Sequence, residues 1–214
     1  MSSPPLVVDV VVPARDAGGT LGELLAGLPS RAFRSVVVVD RGSRDRTAEV
    51  ARDAGATVLR EPGGGYGAAC QRALAHFQAL PRVPDVLVFV PGDRPTAAAA
   101  LPALVAPIAD RSVELVLGIE GTKRPLAEKV VTGLIDAVYR HRWSGAGPVR
   151  AVRFPALVAL GMRDSGAGWD VEMLVRAVKL GLSCDEVVLP AGARRGVRVS
   201  GRALLHILRH ATMR

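Results

Sequence analysis

Long apolar runs without polar alternation mark the first half of the chain. They are LVVDVVV (6–12), SVVVVD (35–40), ATVLR (56–60), DVLVFV (85–90) and VELVLG (113–118). Continuous β-branched runs of this length are typical of strands that are buried on both faces of a parallel sheet. Segments with a helical pattern lie between them, at 20–28, 46–54, 66–80 and 97–109. This alternation of strand and helix predicts an α/β domain with three layers.

The pattern changes after about residue 120. The second half predicts a long helix at 123–142, a glycine-rich turn at 144–148, a strand at 149–153, a helix at 170–180 and a strand at 186–189. Neither an internal repeat nor a low-complexity linker separates the two halves. We therefore interpret residues 1–214 as a single domain, whose second half extends the first.

Composition narrows the class of protein and of partner. With 214 residues, 49% of them hydrophobic, the chain is long enough for one sizeable core. Lys and Arg outnumber Asp and Glu by 28 to 20, so the net charge of +8 favours an anionic partner such as a nucleotide, a lipid phosphate or nucleic acid. Charge alone does not choose among these, and the base composition of the source genome explains the arginine excess equally well.

Two cysteines and the start of the chain bear on its environment. Cys70 and Cys184 have neither a paired spacing nor a nearby histidine cluster, so the sequence indicates neither a zinc site nor a disulfide framework. The first residues lack the basic start of a signal peptide, and no apolar stretch approaches the roughly 20 residues of a spanning helix. The expectation is a reduced protein of the cytoplasm.

Acidic residues follow three of the predicted strands. Asp16 follows the first strand, Asp40 and Asp45 the second, and Asp93 the fourth. Ligands of open α/β sheets bind beyond the carboxyl ends of the strands, so these acids are expected at one edge of the sheet. The phosphate-binding patterns GxxxxGK[ST] and GxGxxG are absent. The edge therefore favours a ribose, a base and a metal ion over a bare phosphate cradle.

Several stretches, in order and at suitable spacings, resemble the family 2 glycosyltransferases, in particular the branch of dolichyl-phosphate mannose synthase and its bacterial relatives. They are VVVPARDAGGTLGELLAGLP (10–29), 36–74 around DRGSRDRT and EPGGGYG, DVLVFVPGDRPT (85–96), LVLGIEG (115–121), 147–182 around GWDVEM, and RRGVRVSG (194–201). The resemblance implies the GT-A fold, a three-layer α/β/α sandwich with a mostly parallel central sheet. It also implies a nucleotide-binding half at 1–120 and an acceptor-side half at 121–214.

The resemblance implies nucleotide contacts around the first two strand ends and the glycine-rich turn. The residues at the matching positions are Pro13, Asp16, Asp40, Asp45, Gly65, Tyr66 and Gly67. A carboxylate can accept two hydrogen bonds from a base edge or a ribose diol, which suits Asp40. For Asp45 a helix cap is an equally good interpretation, and the glycine turn is also explained by positive φ angles alone.

The family's metal-binding Asp-x-Asp motif is incomplete in this chain. The stretch reads Pro91-Gly92-Asp93, so the first acid is missing and Asp93 matches the second. Mg²⁺ or Mn²⁺ can be held by one carboxylate together with substrate phosphates and water, which makes Asp93 the expected metal ligand. The alternative is a loop aspartate paired with Arg94 or with turn amides.

Two further stretches match family positions near the sugar and the diphosphate. Asp170 and then Glu172 are the candidates for a general base that takes the proton of an acceptor hydroxyl, although Asp170 also suits a helix cap. A lipid phosphate acceptor is already ionised and needs no base. Arg194, Arg195 and Arg198 suit the diphosphate, and a solvated basic loop is the alternative. The final amphipathic segment, 201–214, is expected to dock on the domain or to contact an anionic membrane surface.

Together these features predict transfer of a sugar from a nucleoside diphosphate sugar to a polyprenyl phosphate or a small molecule, metal-assisted and with inversion. Nucleic acid is not an expected partner. Three departures from the family motifs leave a non-catalytic relative that binds a nucleotide or a protein as the alternative. They are the incomplete Asp-x-Asp motif, Arg15-Asp16 in place of the usual Asn-Glu, and Arg41 within the second motif. A sugar-phosphate nucleotidyltransferase ranks last, because its basic, glycine-rich first loop is missing.

Overall fold

The computed structural model of the protein describes residues 6–110, 113–120 and 126–190. Within these ranges the strands are β1 Val8–Ala14, β2 Ser35–Asp40, β3 Thr57–Arg60, β4 Val86–Phe89, β5 Leu115–Glu120, β6 Val149–Arg153 and β7 Cys184–Leu189. The helices are α1 Gly18–Ala26, α2 Thr47–Asp53, α3 Tyr66–Gln78, α4 Leu101–Ala109, α5 Leu126–Tyr139, α6 Phe154–Leu160 and α7 Trp169–Leu180. A 3-10 helix, Pro95–Ala100, leads into α4.

The described strands form one sheet in the order β3-β2-β1-β4-β6-β5-β7. β6 runs antiparallel to its neighbours β4 and β5, and every other neighbouring pair is parallel. The predicted α/β/α sandwich with a mostly parallel central sheet is thereby confirmed. Because β2 and β4 both pair in parallel with β1, the loops that follow these three strands leave the same edge of the sheet.

Both faces of the sheet are buried, which explains why the apolar runs do not alternate. In β1, Val11 belongs to one core cluster with α3, α6 and α7, whereas Val10 and Val12 belong to a second cluster with α1 and α4. Every residue of β1 is buried. Successive side chains of a strand point to opposite faces, so a strand covered on both sides is apolar at nearly every position. The exception in β1 is Asp9, whose buried carboxylate pairs with Arg34.

The sequence patterns located every described strand and all but one helix. The exception is α6, which begins directly after β6 with the stretch FPALVAL. Seven apolar residues in a row give no helical period, so a short buried helix cannot be told from a strand by pattern alone. Pro155, in the first turn, is compatible with a helix start, because the first turn lacks partners for its N–H groups. Among the described helices, none is long and apolar enough to span a membrane.

Candidate functional site

A cleft of about 770 Å³ opens at the edge of the sheet where β1, β2 and β4 end. The starts of α3 and α7 close its other side. Its lining residues are Pro13, Ala14, Arg15, Asp16, Ala17, Arg41, Gly65, Tyr66, Pro91, Gly92, Asp93, Arg94, Pro148, Ala167 and Asp170. A cleft of this volume is within the range of small-molecule sites, and its walls carry three carboxylates and three guanidinium groups.

Asp170 lies in the first turn of α7, and its side chain is only 13% exposed. Arg150 of β6 lies beneath it, with Nη2 3.0 Å from Oδ1 of Asp170. This contact is an ion pair without hydrogen-bond geometry, since Oδ1 accepts no hydrogen bond. Burial raises the pKa of Asp170 from 3.8 to about 6, against the opposing effect of Arg150 and Arg94. A carboxylate with this pKa is a competent base near neutral pH.

Tyr66 and Cys70 lie beside Asp170 on the first turns of α3. Burial, with the negative charge of Asp170 next, raises the pKa of the Tyr66 hydroxyl well above its usual value, and the same two causes raise that of the Cys70 thiol. Among the described residues, the buried Tyr66 hydroxyl finds no hydrogen-bond partner apart from its contact with the weakly polar Cys70 thiol. Both groups are therefore neutral neighbours of the carboxylate.

Asp16, in the loop after β1, lines the cleft, as the sequence predicts for a nucleotide contact. Its backbone φ is +49°, a conformation that aspartate tolerates better than most residues. The loop holds it there: its N–H donates to Oγ of Ser43 over 3.0 Å, and its Oδ1 accepts from the N–H of Arg44 over 2.8 Å. These bonds join the loops after β1 and β2 into one wall of the cleft.

Asp40 and Asp45 lie at the same edge but not among the residues that line the cleft. The side chain of Asp40 is 1% exposed, and its Oδ1 accepts from the N–H of Ser43. Asp45 accepts hydrogen bonds from the N–H of Gly18 over 2.8 Å and of Thr47 over 3.0 Å. It thereby joins the starts of α1 and α2. In the free protein both acids shape the loops, and direct contact with a nucleotide stays a prediction.

The glycine-rich turn before α3 packs against the chain itself as well as against the cleft. Gly65 lines the cleft, whereas Gly67 does not. A Cβ at Gly65 would meet the carbonyl oxygen of Ser165 at 2.2 Å, and one at Gly67 would meet that of Asp164 at 2.1 Å. The N–H of Gly67 donates to the Gly166 carbonyl over 2.9 Å. Because these glycines lack side chains, the segment 164–168 packs closely against them just before the start of α7.

Glu172, the second candidate for a base, does not line the cleft and is fully buried. Its Oε2 accepts from the N–H groups of Arg163 and Asp164, over 2.9 and 2.7 Å, and its Oε1 accepts from Nε of Arg176 over 2.8 Å. Every strong acceptor position is therefore occupied within the protein. In the free protein Glu172 anchors the segment before α7, and its role as the second candidate base stays a prediction behind Asp170.

Asp93 lines the cleft after β4, with its side chain 31% exposed and its Oδ1 3.7 Å from Nε of Arg94. Among the described residues, no group of three or more His, Cys, Asp or Glu side chains could enclose a metal ion. A single partly exposed carboxylate suits Mg²⁺ or Mn²⁺ when phosphate oxygens and water complete the coordination. The donor set thus fits a metal that arrives with a diphosphate.

The sequence analysis did not name three arginines of the cleft wall as candidate site residues. Arg15, Arg41 and Arg94 line it together. Arg41 is half-buried, and burial first and the charge of Arg15 next lower its pKa. Its Nε donates to the Gly64 carbonyl over 3.4 Å. Arg15 and Arg41 stood out in the sequence as departures from the family motifs, and their positions after buried strands were the signal that could have identified them.

Three predicted diphosphate ligands, Arg194, Arg195 and Arg198, lie outside the described residues, as does the amphipathic segment 201–214. They remain predictions.

Comparison with known proteins gives the family. The sequence profile of glycosyl transferase family 2 matches residues 9–119, just over half of the chain. An uncharacterized glycosyltransferase of Mycobacterium tuberculosis is 34% identical over 204 residues, which cover 91% of this chain and 90% of that protein. The glycosyltransferase AglJ of Haloferax volcanii is 26% identical over 196 residues, 86% of this chain and 62% of that one.

Solved structures agree in fold. Glucosyl-3-phosphoglycerate synthase from Mycobacterium tuberculosis, in complex with Mn²⁺, uridine diphosphate and phosphoglyceric acid, has a TM-score of 0.83 and 21% identity. The alignment covers 98% of this chain and 80% of that one. The GT-A fold expected from the sequence is therefore confirmed. On the profile match and the extent of the identity, this chain belongs to glycosyl transferase family 2 and is a glycosyltransferase.

Proposed function

We propose that the protein transfers a sugar from a nucleoside diphosphate sugar to a hydroxyl of a small acceptor, with inversion at the sugar. The observation that carries the proposal is the cleft itself, which places Asp93 and Asp170 on its walls together with three arginines. Cations and a metal ligand suit the donor's diphosphate, and a buried carboxylate of raised pKa suits the acceptor's proton.

The diphosphate belongs to the side of the cleft after β1, β2 and β4. Arg15, Arg41 and Arg94 can donate to phosphate oxygens in the bidentate geometry that guanidinium groups favour. Asp93 would hold Mg²⁺ or Mn²⁺ shared with the same oxygens. Bound there, the ion would act as a Lewis acid and stabilise the charge that develops on the leaving diphosphate.

The nucleoside belongs to the wall formed by Pro13, Asp16, Gly65 and Tyr66. The hydrogen bonds between the loops after β1 and β2 keep this wall in place before a ligand arrives. Such preorganisation lowers the ordering cost of binding. Asp40 and Asp45 support the proposal through these loops rather than through an exposed carboxylate.

The transfer step follows from the position of Asp170. Its carboxylate removes the proton of the acceptor hydroxyl as that oxygen bonds to the anomeric carbon, and the bond from this carbon to the diphosphate oxygen breaks with its electron pair. Asp170 ends protonated and the nucleoside diphosphate leaves. A buried carboxylate near the acceptor favours a neutral hydroxyl over an anionic phosphate, because like charges repel in a site of low dielectric.

The solved relatives support the choice of ligands. One structure of glucosyl-3-phosphoglycerate synthase contains Mn²⁺, UDP-glucose and phosphoglyceric acid, and another contains Mn²⁺, UDP and glucosyl-3-phosphoglycerate. At 21–22% identity these ligands serve as the first probes for the present protein rather than as its substrates.

The test is a transfer assay with UDP-, GDP- and dTDP-sugars, Mn²⁺ or Mg²⁺, and three acceptors: phosphoglycerate, glycerol and a polyprenyl phosphate. We expect release of nucleoside diphosphate and a glycoside linked through a hydroxyl oxygen, and we expect Asp170→Asn to abolish both. A product linked through phosphate would overturn the hydroxyl acceptor. Undiminished transfer by Asp170→Asn would overturn the role of Asp170.

A further inference from the structure

Arg150 is a fully buried cation in the middle of the sheet. It lies on β6 between β4 and β5, where its neighbours in register are Phe89 and Leu117. An arginine without exposed surface is costly unless it is paired, because its charge loses its hydration. Its ion-pair partner is Asp170, which lines the cleft.

The guanidinium group of Arg150 is fixed by the backbone around it. Nη2 donates to the carbonyl oxygen of Ala146 over 2.9 Å and also to that of Gly147. Nη1 donates to the carbonyl oxygen of Asp170 over 3.3 Å. Because these bonds come from both the loop before β6 and the first turn of α7, the cation is held at a set position beneath the carboxylate.

The charged and titratable groups around Asp170 divide by sign. Arg150 of β6 and Arg94 after β4 favour its ionised form, whereas Asp164 before α7 opposes it, and burial opposes it most. Tyr66 and Cys70 of α3 are neutral neighbours, with pKa values raised above their usual range by burial first. Nη2 of Arg150 lies 3.0 Å from Oδ1 of the carboxylate.

We propose that Arg150 is a positioning residue for the transfer reaction: it holds the carboxylate of Asp170 ionised and oriented, with Oδ1 toward the core and the other oxygen toward the acceptor. This inference rests on the proposed role of Asp170 as the base. Arg150 itself touches no substrate, since it is absent from the cleft wall and has no exposed surface.

A second arginine pair on α7 offers a matched control. Arg176 pairs with the buried Glu172, with Nε 2.8 Å from Oε1. That pair anchors the segment before α7 and lies away from the cleft wall. Arg176→Met therefore removes an arginine that pairs with an acid of α7, as Arg150→Met does, but leaves the partner of Asp170 in place.

The experiment is the pH dependence of kcat/KM for the wild type, Arg150→Met, Arg150→Gln, Arg150→Lys and Arg176→Met. Without the cation, the ionised form of Asp170 loses its partner, so the acidic limb of the profile moves to higher pH in the Met and Gln variants. At a pH below the limb, kcat/KM falls by roughly tenfold for each pH unit by which the limb moves. At alkaline pH, where Asp170 is ionised in every variant, part of the lost kcat/KM returns.

The remaining variants separate positioning from general damage. Arg150→Lys keeps the charge and should return the limb toward its wild-type position, whereas Arg176→Met should lower Tm and leave the limb in place. Arg150→Gln keeps a hydrogen-bond donor for the backbone carbonyls of Ala146 and Gly147. It is used in place of Arg150→Met if that variant does not fold. A carbon-13 titration of the Asp170 carboxyl in the wild type and the Gln variant gives the same shift without turnover.

An unmoved limb and an unmoved carboxyl titration in the Gln variant would overturn the role of Arg150, as would an equal move in Arg176→Met. Asp170→Asn distinguishes this failure from that of the proposed function. If Asp170→Asn abolishes transfer while the Arg150 variants keep the wild-type profile, Asp170 is the base and only the positioning role is lost. If the Asp170→Asn variant transfers sugar at the wild-type rate, both the base role of Asp170 and the positioning role of Arg150 are wrong.

Discussion

Asp170 lines the cleft although its side chain is only 13% exposed. Burial raises its pKa to about 6, so between its ordinary value near 4 and pH 6 the folded protein binds a proton that the unfolded chain does not. The free energy of unfolding therefore falls as pH rises through this window. Ionised Asp170 costs stability at neutral pH, a common trade at reactive sites.

Asp170→Asn should therefore stabilise the protein while abolishing transfer. Asparagine resembles the protonated acid, so at pH 8 the free energy of unfolding should rise by about 1–3 kcal/mol. At pH 4 the two proteins should be equally stable. Urea titrations at both pH values measure this, and a gain of the same size at pH 4, or a loss at pH 8, would contradict the assignment of a raised pKa.

Asp93→Asn should remove the metal-dependent part of donor binding. With one carboxylate as the protein's ligand, the amide should cancel most of the gain in UDP affinity that Mn²⁺ gives, while affinity measured with a chelator stays near that of the wild type. The expected loss with Mn²⁺ is roughly tenfold, about 1.4 kcal/mol. Asp53→Asn, at the exposed end of α2, is the control. Equal Mn²⁺ dependence in both variants would contradict a metal at Asp93.

At the residue scale, position along the chain predicted the acids but not their partners. Asp16, Asp93 and Asp170 line the cleft because each follows a strand end or begins a helix at one edge of the sheet, which the pattern shows. The sequence pattern identifies Arg150 only as one residue of a short strand. Its ion pair with Asp170 forms because β6 and the first turn of α7 meet in the folded protein. Contacts between distant segments leave no local pattern.

At the element scale, apolar runs predict the strands, but the order of the strands in the sheet depends on tertiary packing. Predicted strands at 149–153 and 186–189 overlap β6 and β7, yet nothing in either run shows that β6 is antiparallel and lies between β4 and β5. The sequence offers two explanations for the glycine turn before α3: close approach of a ligand, or backbone with positive φ angles. In the structure, the approach is that of the segment 164–168, which no local signal connects with residue 67.

Gly67→Ala tests this packing of α3 against the segment 164–168. The new Cβ would lie 2.1 Å from the Asp164 carbonyl oxygen, so one of the two segments must move. We expect a loss of about 1–3 kcal/mol in unfolding free energy. Gly133→Ala on α5 is the matched control, because its Cβ would meet nothing within 4 Å and alanine should stabilise the helix by up to about 1 kcal/mol. Equal effects of the two changes in urea denaturation would refute the close approach.

Asp45→Ala tests the link between α1 and α2. Removing the acceptor of the Gly18 and Thr47 N–H groups should cost about 1 kcal/mol at pH 7. These hydrogen bonds, the one to the Thr47 side chain first, lower the pKa of Asp45, so its contribution is present above the ordinary value near 4 and is lost as pH falls. Denaturation at pH 7 and pH 3 should show a difference that shrinks in acid. A tenfold loss of nucleotide affinity with an unchanged free energy of unfolding would instead assign Asp45 to the ligand.

At the scale of the whole molecule, a sheet buried on both faces provides a rigid edge on which loops from separate parts of the chain meet. The family's acid pair is reduced to Asp93, and arginines occupy neighbouring positions of the cleft wall. The protein thus has the fold of its glycosyltransferase family, with three arginines on the wall of the cleft. Among these, Arg41 is half-buried and lines the cleft, which makes it the arginine to test.

Calorimetric titration of UDP, GDP and dTDP into the protein with Mn²⁺ tests the central claim most directly. We predict that at least one of them binds at one site per chain, that Arg41→Ala weakens this binding by roughly tenfold, about 1.4 kcal/mol, and that Arg46→Ala on the exposed start of α2 does not. The absence of binding by all three to folded protein would contradict a nucleoside diphosphate site in the cleft.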